Sequence, residues 1–205
     1  MFQFNNINIK YYIPDYDVLE FVDYIDKLKI KNEFNFELDI AIDYSLEPLG
    51  EYDLINHIIY INPSKCIQEE ESAKYYINDY SMFGVLIHEF SHFLSLTYFK
   101  NFINDYTNQF PHVDDRAILN EYGNTDIREE VAELISSYIV NPYFIKMLSI
   151  KHYKFLKSYF KSPVPCSEKK FISIYKTFDY SIKKLIKNKY RIDYNIENNK
   201  LDIIN

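Results

Sequence analysis

The sequence predicts an α+β fold: a small mixed sheet and a buried central helix, followed by a basic helical extension. Three observations predict it. Only 3 glycines and 7 prolines occur in 205 residues, which argues for long helices rather than a loop-dominated β-sandwich. Residues 36–44 alternate apolar and polar, as a strand with one buried face does. Several longer stretches instead repeat near 3.6 residues. Hydrophobic residues make up 47% of the chain and charged residues 26%, which excludes a disordered or fibrous protein. The length suffices for one large domain, or for a domain with an appendage.

In chain order, residues 16–31 place Val18, Leu19, Phe21, Val22, Ile25, Leu28 and Ile30 on one side of an amphipathic helix. The strand 36–44 follows. Glu47-Pro48-Leu49-Gly50 reads as a break, and His57–Pro63 as a second short strand ending at Asn62-Pro63. Residues 80–99 are apolar nearly all round, so they read as a buried helix capped by Asp79 or Ser81. The polar stretch 100–125, with Pro111 and Gly123, reads as a long loop. A helix over 126–141 ends at Asn141-Pro142. Residues 142–160 and 167–190 read as basic amphipathic helices on either side of Ser162-Pro163-Val164-Pro165. The expected division is a first domain over 1–145 and a basic helical extension over 146–205 packed on it as one unit.

The charge is unevenly distributed. Residues 1–145 hold 9 Lys and Arg against 25 Asp and Glu, whereas 146–191 hold 13 against 2, within a net charge of −7. One reading docks the basic segment on the acidic part of its own chain. The other gives it an acidic partner, a nucleic acid or a membrane surface. No run reaches the length of a membrane span, and the first residues do not form a secretory signal. The expectation is therefore a cytoplasmic protein whose Cys66 and Cys166 stay reduced.

The segment that carries chemistry is Val85-Leu86-Ile87-His88-Glu89-Phe90-Ser91-His92-Phe93-Leu94. His88 and His92 are one helical turn apart, so both imidazoles can reach one metal ion. Glu89 lies about 100° around the axis, beside the metal, where it can take a proton from an activated water. Two histidines and a glutamate on an otherwise apolar helix are costly to bury without such a role.

A third protein ligand is needed. The positions where a metzincin carries its glycine and third histidine hold Ser95 and Tyr98, and the inverted His-x-x-Glu-His order is absent. An acid from a second helix remains. In Asp126-Ile127-Arg128-Glu129-Glu130-Val131-Ala132-Glu133, residues Glu129 and Glu133 share a face, and small Ala132 permits close helix approach. Each acid also has a plainer reading: Glu129 closing a capping box with Asp126, and Glu130 and Glu133 as solvated charges. Glu130, Glu133, His112, Asp114 and Asp115 remain alternatives to Glu129 as the ligand.

Together, His88-Glu89-x-x-His92 and Glu129-x-x-x-Glu133 resemble the gluzincin arrangement of zinc peptidases. The stretch from Glu129 through Ala132, Ile135, Ser136, Ile139 and Val140 to Pro142 is similar to the second-helix signature of the ImmA/IrrE-type metallopeptidases. The resemblance spans residues 35–142 at most. It departs at Glu133, where those families commonly have Asn or Asp, and no helix-turn-helix domain accompanies it. It implies a zincin-like domain with Zn2+ on His88, His92 and Glu129, and Glu133 orienting one of the histidines from outside the metal's own ligands.

The expected function is a zinc-dependent endopeptidase with Glu89 as general base. A peptide or protein substrate would add a strand to the edge formed by residues 57–62. His112 and Tyr122 are candidates for proton donation or oxyanion stabilisation, while His57 reads as structural and His152 as solvent-exposed. The competing expectations are a non-catalytic zincin-like binding protein that grips an acidic partner through 146–191, and a metal-free helical interaction domain.

Overall fold

A computed structural model describes residues 2–4, 7–11, 16–30, 36–66, 81–112, 126–162, 165–177, 183–184, 187–188 and 192–203. The architecture is α+β. Strands β1 (Phe2–Phe4), β2 (Ile7–Tyr11), β4 (Phe36–Ile42), β5 (Gly50–Asp53) and β6 (Ile58–Ile61) form a mixed sheet in the order β1-β2-β4-β6-β5. The inner pairs β2–β4 and β4–β6 are parallel, and the outer pairs β1–β2 and β5–β6 are antiparallel. Leu38 and Ile40 of β4, with Ile59 and Ile61 of β6, supply the buried face. The alternation in the sequence is therefore the side of the sheet on which the helices lie.

This order corrects the expected substrate edge. β6 is paired on both sides, with β4 and with β5. The edge strand is β5, which begins at the glycine that reads in the sequence as a break.

Helix α1 (Tyr16–Asp26) buries Val18, Phe21, Val22 and Ile25. It stops earlier than its pattern suggests because Lys29–Ile30 (β3) pairs with Phe160–Lys161 (β7). The central helix α2 (Met82–Phe93) is capped by Ser81, whose side chain accepts from the Gly84 N–H. A π-helical turn over Leu94–Tyr98 extends it, with the Phe99 N–H bonded to Leu94 O. α2 packs against α1, β5, β6 and the helix α4 (Ile127–Val140).

Part of the expected loop 100–125 is helical: α3 spans Phe102–Gln109. Phe102, Tyr106 and Phe110 are buried at spacings of four. Asn, Asp and Thr between them lower helix propensity and hide the period. The rest of that stretch, from 113 to 125, lies outside the described residues.

The extension begins within a helix. α5 (Pro142–Leu148) crosses residue 145, and Ser149 caps α6 (Ile150–Tyr159). α7 (Glu168–Thr177) and a hairpin of β8 (Ile192–Asn195) and β9 (Lys200–Ile203) follow. Neither this hairpin nor the β1–β2 pair was expected from the sequence.

One core cluster runs through both parts of the chain. Phe155, Tyr159 and Phe160 meet Phe99 and Phe102 ring to ring. Among the described residues, no lysine of 146–191 pairs with an acid of 1–145. The basic segment is held by aromatic packing, and Lys146, Lys151, Lys154, Lys157 and Lys161 are exposed.

Candidate metal centre

The site is built where α2 meets the first turns of α4. His88 and His92 project from α2 with ring centroids 4.9 Å apart. Asp126 caps α4 by accepting from the Arg128 N–H at 2.8 Å. The side chain of Glu129 does not close a capping box; it turns to the histidines. Glu129 Oε2 lies 3.1 Å from His88 Nε2 and 3.3 Å from His92 Nε2. Fully buried Ala132 lies one helical turn beyond Arg128, and α2 packs closely on α4.

Those separations bear on whether an ion fits. Two ligand atoms bound tetrahedrally at 2.0–2.1 Å from zinc stand about 3.3 Å apart. The three donor atoms of His88, His92 and Glu129 all lie within 4.8 Å of one another. Glu129 therefore stands at ligand spacing from each histidine, and the three donor atoms are close enough to share one small cation.

Electrostatics agree with this. The second nitrogen of His88, Nδ1, lies 3.2 Å from Glu133 Oε1, so both ring nitrogens face carboxylates. Burial disfavours the imidazolium, but bonds to Glu129 and Glu133 outweigh it and hold the His88 pKa up at about 10 without metal. Burial pushes the Glu129 carboxyl up, yet its bonds to both histidines bring it well below the usual carboxylate range. An ion held by His88, His92 and Glu129 would take the place of the Nε2 proton, with His88 Nδ1–H still directed at Glu133. Glu133 Oε2 is buried with no hydrogen-bond partner among the described residues.

Glu89 is buried, 7% exposed, one position from His88. Desolvation raises its pKa; the charges of His88 and His92 and a hydrogen bond from the Tyr52 backbone N–H oppose the rise without cancelling it. Tyr52 lies on β5, so Glu89 reaches the outer edge of the sheet. Gly50 makes this approach possible. A Cβ there would stand 2.5 Å from Val85 Cγ1 and 3.0 Å from Glu89 Cγ. Gly50 has no positive φ; the requirement is for space.

The other expected residues fall elsewhere. Glu130 is buried rather than solvated, and faces α3, where it accepts from the Tyr106 hydroxyl at 2.5 Å. His152 is buried rather than exposed: Nε2 lies 3.5 Å from the Tyr106 hydroxyl, and the ring stacks on Phe110. Glu133 is buried too, against His88. His57 Nδ1 lies 2.9 Å from the Tyr52 hydroxyl, a structural contact. His112 is exposed just beyond α3 and is not in the cluster of ligating side chains. Tyr122, Asp114 and Asp115 lie outside the described residues.

Sequence reasoning missed Gly50 and Tyr52. The available signal was one of only 3 glycines standing just before a short polar–aromatic alternation.

Fold and site together define an α+β protein with two histidines and a glutamate close enough to bind one metal ion. No protein-family model, curated protein or solved structure matches the chain. Among the described residues, no helix is long and apolar enough to cross a membrane.

Proposed function

We propose that the protein is a zinc-dependent peptidase of gluzincin type with a zincin-like catalytic domain. One observation carries the reading. His88, His92 and Glu129 offer three ligand atoms within 4.8 Å of one another, while the neighbouring Glu89 packs against Gly50 of the outer strand β5. The donor set of two imidazoles and one carboxylate suits zinc, and Glu133 fixes the His88 ring from behind.

Zinc held there supplies Lewis acidity toward a peptide carbonyl and makes a water acidic near neutral pH. The chain's own residues do the rest. Glu89, with its pKa raised by burial, takes the water proton and delivers it to the leaving amine. The missing side chain at Gly50 leaves room for Glu89 beside β5. The peptide lies extended along β5, paired through backbone groups.

The test is metal analysis together with Glu89→Gln. The purified chain should hold about one zinc and cleave members of a random dodecapeptide library. Glu89→Gln should keep the zinc and lose about 10²–10⁴-fold in cleavage. Cleavage at the wild-type rate by the variant, or none by a zinc-loaded wild type, defeats the reading.

The exposed lysines of 146–161 favour a second reading, a non-catalytic zincin-like protein that binds an acidic partner. Steeply salt-dependent binding of a DNA duplex by a zinc-loaded chain that cuts no peptide would select it.

A further inference from the structure

We propose that the β5–β6 turn is a specificity determinant, selecting peptides with an aliphatic or aromatic side chain about four residues from the scissile bond. This rests on the peptidase reading and adds a substrate class to it.

The register of β5 sets the geometry. Leu49 O accepts from the Asn62 N–H at 2.9 Å. In an antiparallel pair the residues that bond inward alternate with those that face away. Gly50 and Tyr52 therefore turn their backbone groups outward. A peptide paired with this edge starts beside Gly50, against which Glu89 packs, and runs along β5. At about 3.4 Å per residue, it reaches the turn after about 14 Å, four residues on.

The turn is ordered and apolar at once. Asp53 Oδ1 accepts from the N–H groups of Ile55 at 2.8 Å and Asn56 at 3.0 Å, and Oδ2 accepts from Asn56 Nδ2 at 2.7 Å. Behind it, the Tyr52 hydroxyl lies 2.9 Å from His57 Nδ1 and 2.7 Å from Thr97 Oγ1, which braces the hairpin against the end of α2. On this frame Leu54 is 49% exposed and Ile55 88%. The Asp53 bonds would hold polar residues equally well, so the turn itself does not call for these aliphatics. Their place, in line with a strand edge that is unpaired among the described residues and begins at the candidate base, fits a substrate side chain.

The experiment uses the same random dodecapeptide library in two arms. In one, the zinc-loaded wild type cleaves it and the products are sequenced by mass spectrometry. In the other, zinc-loaded Glu89→Gln retains peptides, which are eluted and sequenced. Both should show about three- to tenfold enrichment of Leu, Ile, Val, Met or Phe at one position four or five residues from the cut or docking point, the amount expected for partial burial of one such side chain. The double variant Leu54→Ser/Ile55→Ser should flatten that enrichment at unchanged Tm, since both side chains are exposed.

A flat wild-type profile, or one that the double variant leaves intact, overturns the proposal. So does a dimer that buries the turn and dissociates in the double variant while the profile stays the same. Enriched retention with no cleavage removes the peptidase reading and keeps the recognition site. Neither retention nor cleavage removes both.

Discussion

The closest test of the site's architecture is Gly50→Ala. The new Cβ would lie 2.5 Å from Val85 Cγ1, 3.0 Å from Glu89 Cγ and 3.1 Å from Ile61 Cδ1. Carbon atoms in contact stay about 3.5–4.0 Å apart, so at least one neighbour must move by about 1 Å. Val85 is buried and β-branched, with one strongly preferred helical rotamer, so its methyl cannot swing aside. β5 has to lift from α2. Overpacking of this kind costs about 1–3 kcal/mol, and in a chain of this length that lowers Tm by about 2–12 °C. Lifting β5 also draws Gly50 away from Glu89, and on the peptidase reading misplacing the base by about 1 Å can cost up to ~10²-fold in rate. Thermal unfolding and library cleavage should therefore fall together, with zinc content unchanged. Val85→Ala supplies the control: in the double variant the two stability losses should be less than additive by about 1 kcal/mol. A Gly50→Ala protein with wild-type Tm and wild-type cleavage would refute the close approach of β5 to α2, and with it the placement of Glu89 at the sheet edge.

Other outcomes follow from the same geometry. The raised His88 pKa stabilises the metal-free protein fully below about pH 6.5, and this contribution is lost as pH rises toward 10; the lowered Glu129 pKa acts above about pH 4.5 and is lost on acidification. The Tm of chelator-treated protein should thus decline from pH 6.5 to 10, and a flat profile would contradict the double carboxylate contact of His88. Zinc must displace the Nε2 proton, so calorimetry at pH 7 in buffers of different ionisation enthalpy should show at least one proton released per ion. Glu133→Ala should weaken zinc affinity about 10–100-fold in a chelator competition; unchanged affinity would remove its role behind His88. Tyr106→Phe deletes the 2.5 Å bond to buried Glu130 and should cost about 1–2 kcal/mol of stability, read by denaturant unfolding.

How much of this was legible in the sequence depended on whether the signal was local. The 3.6 period announced α1, α2 and α4, and strict alternation announced β4, because in each the buried residues belong to one contiguous stretch. The histidine pair was legible for the same reason, since four residues along one helix fix their geometry. α3 was not, because its three buried aromatics are separated by poor helix formers. The edge was misassigned between β5 and β6 because strand order is a tertiary property: nothing in His57–Pro63 records that Gly50–Asp53 pairs on its outer side. His152 was misread as exposed because its neighbours Lys151, Lys154 and Lys157 are exposed. Its burial is set by Phe110 and Tyr106, more than forty positions away.

The choice among the acids of α4 shows where spacing stops and packing begins. Glu129 and Glu130 are adjacent, so they diverge by about 100° around the helix, and only one can face α2. Both are occupied: Glu129 by the two histidines, Glu130 by Tyr106, with His152 behind it. Rotating α4 by one position would bring Glu130 to the histidines but turn Glu129 to the exposed side now held by Arg128, leave Val131 against the Tyr106 hydroxyl, and carry Glu133 away from His88 Nδ1. The orientation of the metal-facing carboxylate is therefore fixed from both sides of the helix. One of those sides is supplied by α6 of the basic segment, which therefore helps to orient the helix that carries the candidate ligand.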